Sequence, residues 1–557
     1  MNALQRLVDA RAMERLNARD ATLFADGSGN MGEVADRLGW LGLTDRADVL
    51  TPPLAELATR LTKEGVTDVV LLGMGGSSLA PLVLARVFGQ PSGMPLLRVL
   101  DTTSPTQVTA ALGELDAEHT VVIVASKSGT TIEPLSLYAV FRTWMDDAIG
   151  RERAGRRFYA ITDPGTELET LAQRDGFAQV WSASADVGGR FSALSVFGLV
   201  PAALAGVDLD GLLVQARRME AACRTVAEDT NPAAQLAAFI VDACEAGRDK
   251  LTFVASQSLA PFGLWVEQLI AESTGKDGKG VIPVLEYAPV PPNSYGDDRA
   301  VVVLRERGDE DLLAWASTLP EGTPLLECHA DSPAALGAEF VRWEYATALV
   351  GHLLGIAPFN QPNVAEAKAA TNAILDGSAT EAPHAQAAVG DAMLTYAGAL
   401  AGIAPVTAPD TLSDALAPVL DALLPRDYLA LLAYLPEDDG VIDGLASALS
   451  TIAAGTGNAC VLQLGPRYLH STGQLHKGGP DEGVFIVLTT RDAADVVIPG
   501  TSFTLRELNR AQAEGDLATL AAHGRRVVRV DLTNESAEEL ATFSDALADA
   551  ACRCKTR

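Results

Sequence analysis

The stretch that most restricts the fold is Ser126-Lys-Ser-Gly-Thr-Thr131, read with its flanks. The β-branched run Thr120-Val-Val-Ile-Val-Ala125 before it predicts a buried parallel strand, and the apolar periodicity from Ile132 to Trp144 predicts a helix. The six residues between them form a strand-to-helix turn of hydroxyls, one glycine and one lysine. Backbone N–H groups at a helix start lack partners and carry positive partial charge. Hydroxyls beside them make a seat for a phosphate dianion. Helix capping is the simpler account, but a cap uses one hydroxyl and four fall here within six residues.

The alternation of strand and helix recurs along the chain. Strands are predicted at residues 67–72, 96–100, 120–125 and 157–161, and again at 251–255, 281–285, 300–304 and 324–328. A third set is predicted at 428–434, 460–464, 483–489 and 526–531. Such alternation implies doubly wound parallel sheets with ligands at the carboxyl ends of their strands. Residues 1–60 read as helical, with 1–17 amphipathic and Pro52-Pro53 opening a further helix. Residues 380–425, rich in Ala, Pro and Asp, read as helices with a linker. The expected class is α/β, with two doubly wound parallel-sheet domains and a smaller C-terminal α/β region. The expected boundaries are 1–225 for the N-terminal helices and first domain, 226–379 for the second, and 380–557 for the C-terminal region.

Composition narrows the partners. The net charge of −30 argues against nucleic acid and anionic membrane, so a phosphate site must reverse the sign locally. No apolar run reaches membrane-spanning length, and Met1-Asn-Ala-Leu-Gln-Arg lacks the apolar core of a signal peptide. The six cysteines show neither a disulfide framework nor a zinc spacing, which points to a reducing cytoplasm. Only eight of the 42 basic residues are lysine, yet Lys127, Lys276, Lys279, Lys368 and Lys477 all fall in motif-like stretches. A compact or titratable amine suits such places where a guanidinium does not.

Several further stretches carry candidate chemistry. Gly73-Met-Gly-Gly-Ser-Ser78 half matches a dinucleotide fingerprint, with Asp101 placed for a ribose, but Ser78 replaces the third glycine. Gly76 and Ser77 could equally approach a sugar. Glu272 leaves an apolar helix in Ala-Glu-Ser-Thr-Gly-Lys, where partial desolvation moves a carboxyl toward neutrality, against Lys276 and Lys279. A solvated helix end explains the same residues as well. Arg190, in Gly-Gly-Arg-Phe-Ser, is spaced to meet a developing oxyanion or to sit as a surface arginine in a turn. Lys368 by itself reads as an exposed lysine. His470 and His476 lie in a turn, residues 465–479, too polar and glycine-rich for core. They suit an acid/base pair, and no third ligand stands at metal-binding spacing.

Together these stretches resemble phosphoglucose isomerase, nearest to the isomerase half of bifunctional transaldolase/phosphoglucose isomerase proteins. Gly-Met-Gly-Gly-Ser-Ser, Ser-Lys-Ser-Gly-Thr-Thr, Gly-Gly-Arg-Phe-Ser, Glu-Ser-Thr-Gly-Lys, Pro-Phe-Asn-Gln-Pro-Asn-Val-Ala-Glu-Ala-Lys and His-Ser-Thr-Gly-Gln-Leu-His-Lys-Gly-Gly carry the resemblance, from about Thr67 to Asp531. It implies sugar-isomerase-type domains and interconversion of D-glucose 6-phosphate and D-fructose 6-phosphate by ring opening and a cis-enediolate. It implies no metal and no organic cofactor. The family's phosphate loop falls on Ser126, Lys127, Ser128, Thr130 and Thr131, and its sugar-contacting turn on Gly76 and Ser77. The oxyanion arginine falls on Arg190, the base on Glu272, and the late-helix pair on Gln361 and Lys368. The ring-opening histidine falls on His470, with His476 the alternative. Ordinary members carry that histidine within a few tens of residues of the glutamate and take it from a neighbouring subunit, which implies a homodimer. A C-terminal region that supplies His470 within one chain would make a monomer competent. Nothing here looks like a transaldolase barrel, so isomerase activity alone is expected. Two other readings remain at this stage: a non-catalytic sugar-phosphate-binding protein, and dinucleotide binding at residues 73–78.

Overall fold

A computed structural model describes residues 2–24, 31–286, 290–378, 385–403, 409–492 and 494–554. The first sheet is wholly parallel. Its strands are β1 (Asp68–Leu72), β2 (Leu96–Leu100), β3 (Thr120–Ala125), β4 (Phe158–Thr162) and β5 (Gln179–Ser182), in the order β2-β1-β3-β4-β5. β3 is buried at every position, as its unbroken β-branched run requires. The chain reverses direction across the sheet between β1 and β3, so the crevice at their carboxyl ends is the switch point where ligands bind. The turns that follow β1 and β3 are residues 73–78 and 126–131.

The second sheet repeats the plan. β6 (Lys250–Ala255), β7 (Ile282–Leu285), β8 (Arg299–Arg305) and β9 (Leu325–His329) are parallel in the order β7-β6-β8-β9. The helix Phe262–Thr274 follows β6 and carries Glu272 at its buried end. The long helix Leu336–Leu354 and the helix Pro362–Leu375, which carries Lys368, complete this part.

The C-terminal region, expected to be the smaller one, holds the broadest sheet. β12 (Tyr428–Ala433), β13 (Ala459–Leu464), β14 (Gly483–Asp492) and β15 (Arg526–Asn534) are parallel in the order β13-β12-β14-β15. That order matches β7-β6-β8-β9, so one strand plan occurs three times in the chain. An antiparallel hairpin, β10 (Ala387–Val389) and β11 (Ala392–Gly398), extends the sheet along β15. It replaces part of the helical linker expected over 380–425, of which 380–384 and 404–408 lie outside the described residues. Gly390, at φ 56°, opens the two-residue hairpin loop Gly390-Asp391, a conformation that a side chain disfavours. The expected helix in this stretch is present as Leu412–Asp421.

The amphipathic stretch expected over residues 1–17 is two short helices, Ala3–Asp9 and Ala12–Asn17, broken where Arg11 takes φ 50°. One apolar core runs from these helices through a face of the first sheet to the second sheet and Phe359. A separate core joins the helix of Glu272 to the C-terminal sheet through Ala271, Ile282, Tyr428, Tyr468 and Leu475. The C-terminal region is therefore packed into the rest by apolar contact as well as by ion pairs. No helix among the described residues is long and apolar enough to cross a membrane.

Candidate active site

The turn after β3 is built to leave its donors free. Gly129 sits at φ 69°, and a Cβ there would come within 2.6 Å of the Thr166 Cβ. The Ser126 hydroxyl donates to Thr131 Oγ1 at 2.9 Å and accepts from the Gly129 N–H at 3.1 Å. Thr131 is the N-cap of the helix Ile132–Ile149 but makes no side-chain cap bond. The Ile132 N–H at the start of this 18-residue helix is thus left to a ligand, while Pro134 has none. Ser128 and Thr130 are exposed at the opening, 3.1 Å apart through their hydroxyls. The Lys127 amine is turned to the side wall, 2.5 Å from Asp163 Oδ2 and 3.2 Å from the Ala185 carbonyl.

Beside this seat lies a cavity of about 400 Å³. The sequence-predicted Gly76, Ser77, Lys127, Ser128, Thr131, Arg190, Glu272, Gln361, Lys368 and His470 all line it. Ser126 supports the turn from below, and Thr130 faces an adjoining cavity of about 330 Å³ that shares Thr131, Lys368 and His470. The glycine turn has a packing reason: a Cβ on Gly76 would stand 2.1 Å from the Gly189 carbonyl oxygen. That contact holds the turns after β1 and around Arg190 together. Asp101 is not free for a ribose, because Arg467 grips both its oxygens at 2.8 Å.

Arg190 and Glu272 face each other in a buried place. Arg190 NH1 lies 3.2 Å from Glu272 Oε1, with side chains 3% and 6% exposed. The guanidinium also donates to Ser273 Oγ at 2.8 Å, to Gln361 Oε1 at 2.9 Å and to the carbonyls of Pro358 and Asn360 at 2.5 and 3.1 Å. Burial pushes the Glu272 carboxyl above its ordinary value, against the opposing pull of Arg190, Lys276 and His470. The desolvation that the sequence left open is present, and of the two lysines expected to oppose it Lys276 does so. Lys279 is instead spent on the Leu354 carbonyl at 2.9 Å. Lys368 is exposed on the cavity rim and forms no ion pair among the described residues.

The two histidines part company. His470 ends the short 3-10 turn Arg467–His470 and reaches into the cavity. Its Nε2 is 2.8 Å from Glu133 Oε1, and its carbonyl accepts from Gln268 Nε2 at 2.8 Å. Burial pushes the Glu133 carboxyl up, but the His470 ring beside it overrides this and leaves it below its ordinary value. His476 is on the next helix, Gly473–Gly478, and points away from the cavity into the C-terminal core. Its Nε2 donates to Gln463 Oε1 at 2.7 Å and its Nδ1 accepts from the Tyr428 hydroxyl at 3.0 Å. Burial pushes this imidazole well below its ordinary value, so it stays neutral. Of the two alternatives for ring opening, only His470 stands in the cavity. The whole 465–479 turn, expected to be too polar for core, is in large part buried. Its polar groups are paired instead: Lys477 with Asp516, and Gln474 with Asn363 and the Gly275 carbonyl.

Three further residues have roles that no motif assigns. Glu133, directly after the phosphate turn, partners His470 from 337 positions away. Gln268 lies one helical turn before Glu272 and donates to its Oε2 at 3.3 Å, a spacing that the sequence does show. Arg37, from the N-terminal segment, lines the cavity and donates to the Ala185 carbonyl at 2.9 Å, with no motif to announce it.

Comparison with known proteins points to a family. A family model described as phosphoglucose isomerase matches residues 14–285. A glucose-6-phosphate isomerase of Symbiobacterium thermophilum is 31% identical, the match covering 64% of this chain and 90% of that one. A glucose-6-phosphate isomerase of Thermus thermophilus is 32% identical, with 60% and 78% covered. Among solved structures, a hypothetical protein from Thermus thermophilus superposes with a TM-score of 0.54 at 28% identity, covering 66% of this chain and 95% of that one. A glucose-6-phosphate isomerase from Chlamydia trachomatis shares the fold, with a TM-score of 0.53 at 20% identity over 67% and 85%. With 90% of one relative covered at 31% identity, the chain belongs to the phosphoglucose isomerase family.

Proposed function

We propose that the protein is an aldose–ketose isomerase that interconverts D-glucose 6-phosphate and D-fructose 6-phosphate, and that the cavity just described is its active site. Family membership supports the reaction. The observation that carries the site is that a phosphate seat, a desolvated carboxylate, a buried guanidinium and a histidine–carboxylate pair line one cavity within one chain.

The reading assigns each group a step. The phosphate sits on the helix N-terminus and the hydroxyls of Ser128, Thr130 and Thr131, with Ser77 and Gly76 against the sugar. His470, its ring held by Glu133, moves a proton between the C1 hydroxyl and the ring oxygen to open the ring. Glu272 takes the C2 proton as a carboxylate and returns it to C1. Arg190 and Lys368 face the negative charge that develops on the enediolate oxygens. The hydrogen leaves C2 and returns to C1 while a second proton passes from the C2 hydroxyl to the C1 oxygen, so atoms and electrons balance without a further reactant. Supporting this division of labour, burial raises Glu272 toward the working pH while Arg190 is held fixed by five partners.

The three units bounded near residues 225 and 379 then share one task, the C-terminal one supplying the histidine. That supply within the chain removes the ground on which a homodimer was expected, and a competent monomer fits the site as well. We place the reaction in a reducing cytoplasm, with isomerase activity alone. A coupled assay on purified protein without added metal tests the reading. Turnover of both sugar phosphates is expected. Binding of fructose 6-phosphate without exchange of a C1 hydrogen would instead make this a non-catalytic member.

A further inference from the structure

Glu133 meets the His470 ring, and a second side chain meets Glu133. Gln512 lies on the helix Leu505–Ala522, between β14 and β15, and is buried. Its Nε2 donates to Glu133 Oε1 at 2.7 Å, the same oxygen that stands 2.8 Å from His470 Nε2. Glu133 Oε2 is buried and has no hydrogen-bond partner among the described residues. Two donors thus converge on one oxygen of the carboxylate.

The Gln512 amide is itself oriented. Asn509 Nδ2 donates to Thr103 Oγ1 at 3.0 Å, and the Thr103 hydroxyl donates to Gln512 Oε1 at 2.8 Å. Thr103 is fully buried in the turn after β2. An ionised carboxylate only accepts, so the run has one direction, from Asn509 through Thr103 and Gln512 to Glu133. His470 must then meet the same oxygen as a donor, from Nε2–H, which leaves Nδ1 as the acceptor of its ring. The helix is firmly seated: a Cβ on Gly515 would stand 3.0 Å from the Thr371 nitrogen of the helix Pro362–Leu375. The C-terminal region therefore supplies the histidine and also the amide that holds the histidine's partner. Without that amide the carboxylate is free to turn and offer His470 either oxygen.

We propose that Gln512 is a positioning residue for ring opening. With Thr103 behind it, it pins the Glu133 carboxylate, keeps the His470 proton on Nε2 and leaves Nδ1 to exchange a proton with the sugar. Nδ1 takes the C1 hydroxyl proton and returns it to the ring oxygen as the bond from C1 to that oxygen breaks. This rests on the reading of His470 and Glu133 as the ring-opening pair.

The test measures ring opening apart from isomerisation. In a Glu272→Gln background, which lacks the base, NMR exchange follows the enzyme-dependent interconversion of the D-glucose 6-phosphate anomers. Gln512→Leu and Gln512→Glu are added to that background, each checked for native thermal unfolding. Gln512→Leu removes the donor and should lower the anomer rate about 10-fold, with binding of D-fructose 6-phosphate changed less than about twofold. Gln512→Glu keeps the shape and reads the hydrogen bond through pH. Burial and Glu133 both hold the introduced carboxyl above its ordinary value. Protonated, it donates to Oε1 as the amide does; ionised, it repels Glu133. The other groups that face Glu133, namely His470, Lys368 and Tyr434, are the same in the parent protein. The rate of Gln512→Glu relative to that parent should therefore recover as pH falls from about 8 to about 6. A packing role alone predicts no such recovery. Folded variants that keep the parent's anomer rate, or a Gln512→Glu deficit that is flat in pH, would overturn the proposal. A parent anomer rate that His470→Ala leaves unchanged would instead remove the reading of the pair, and the proposal with it.

Discussion

Glu272 and His470 are the two residues whose roles separate most cleanly by substitution. Glu272→Gln keeps the shape and the contact with Gln268 but removes the base. We expect kcat to fall by about 10²–10⁴-fold, while fructose 6-phosphate still binds on the untouched seat at residues 126–131. Retention of more than about a tenth of kcat, measured by coupled assay, would move the base elsewhere. His470→Ala and Glu133→Gln should both impair turnover of cyclic glucose 6-phosphate. Neither should much affect proton exchange on a sugar phosphate that cannot close a ring. Equal loss on both substrates would assign the pair to another step. The sequence showed Glu272 at the end of an apolar helix but left a desolvated and a solvated carboxylate equally open. It could not show that Glu133 meets His470, because 337 positions separate them. Nor could the spacing of the two histidines, six residues in one polar turn, tell which side chain faces the cavity. A 3-10 turn presents one and the next helix buries the other.

At the scale of elements, the loop after β13 does the joining. Arg467, 12% exposed, holds Asp101 of the first sheet through two bonds of 2.8 Å and Glu437 through one of 2.6 Å. Burial pushes the Glu437 carboxyl up, but Arg467 and Arg86 override it and bring it down to about 2. A carboxylate held below its ordinary value stabilises the fold above that value. Its contribution is therefore full above pH ~4.5 and lost as pH falls toward ~2. Arg467→Met leaves two carboxylates facing each other in a buried place and should cost about 3–5 kcal/mol in urea unfolding at pH 7. The cost should shrink as Glu437 is protonated in acid. A cost under about 1 kcal/mol at pH 7 would mean that the ion cluster is not what joins the regions. Strands with continuous apolar or β-branched runs, such as β3 and β14, were legible in the sequence. β5 was not, since Gln179–Ser182 is an edge strand with only one buried residue. The hairpin β10–β11 was hidden by an alanine-rich composition that favours helix, although Gly390-Asp391 is a hairpin-loop signal.

Over the whole molecule, a net charge of −30 is overcome locally by a helix N-terminus, Arg37, Lys127, Arg190 and Lys368 at one cavity. Motif content in the sequence carried the reaction and the α/β class with its parallel sheets, and it supplied the candidate residues. It did not carry the convergence of those residues, which depends on how the C-terminal sheet packs against the helix of Glu272. That packing brings His470 to Glu133 and Glu272 within a single chain, and it is the central claim. Co-expression of Glu272→Gln with His470→Ala, followed by assay of the purified mixture, tests it most directly. A site completed within each chain predicts activity no greater than the sum of the two variants alone. Recovery of a substantial share of wild-type activity would mean that one subunit lends its histidine to another, and would contradict it.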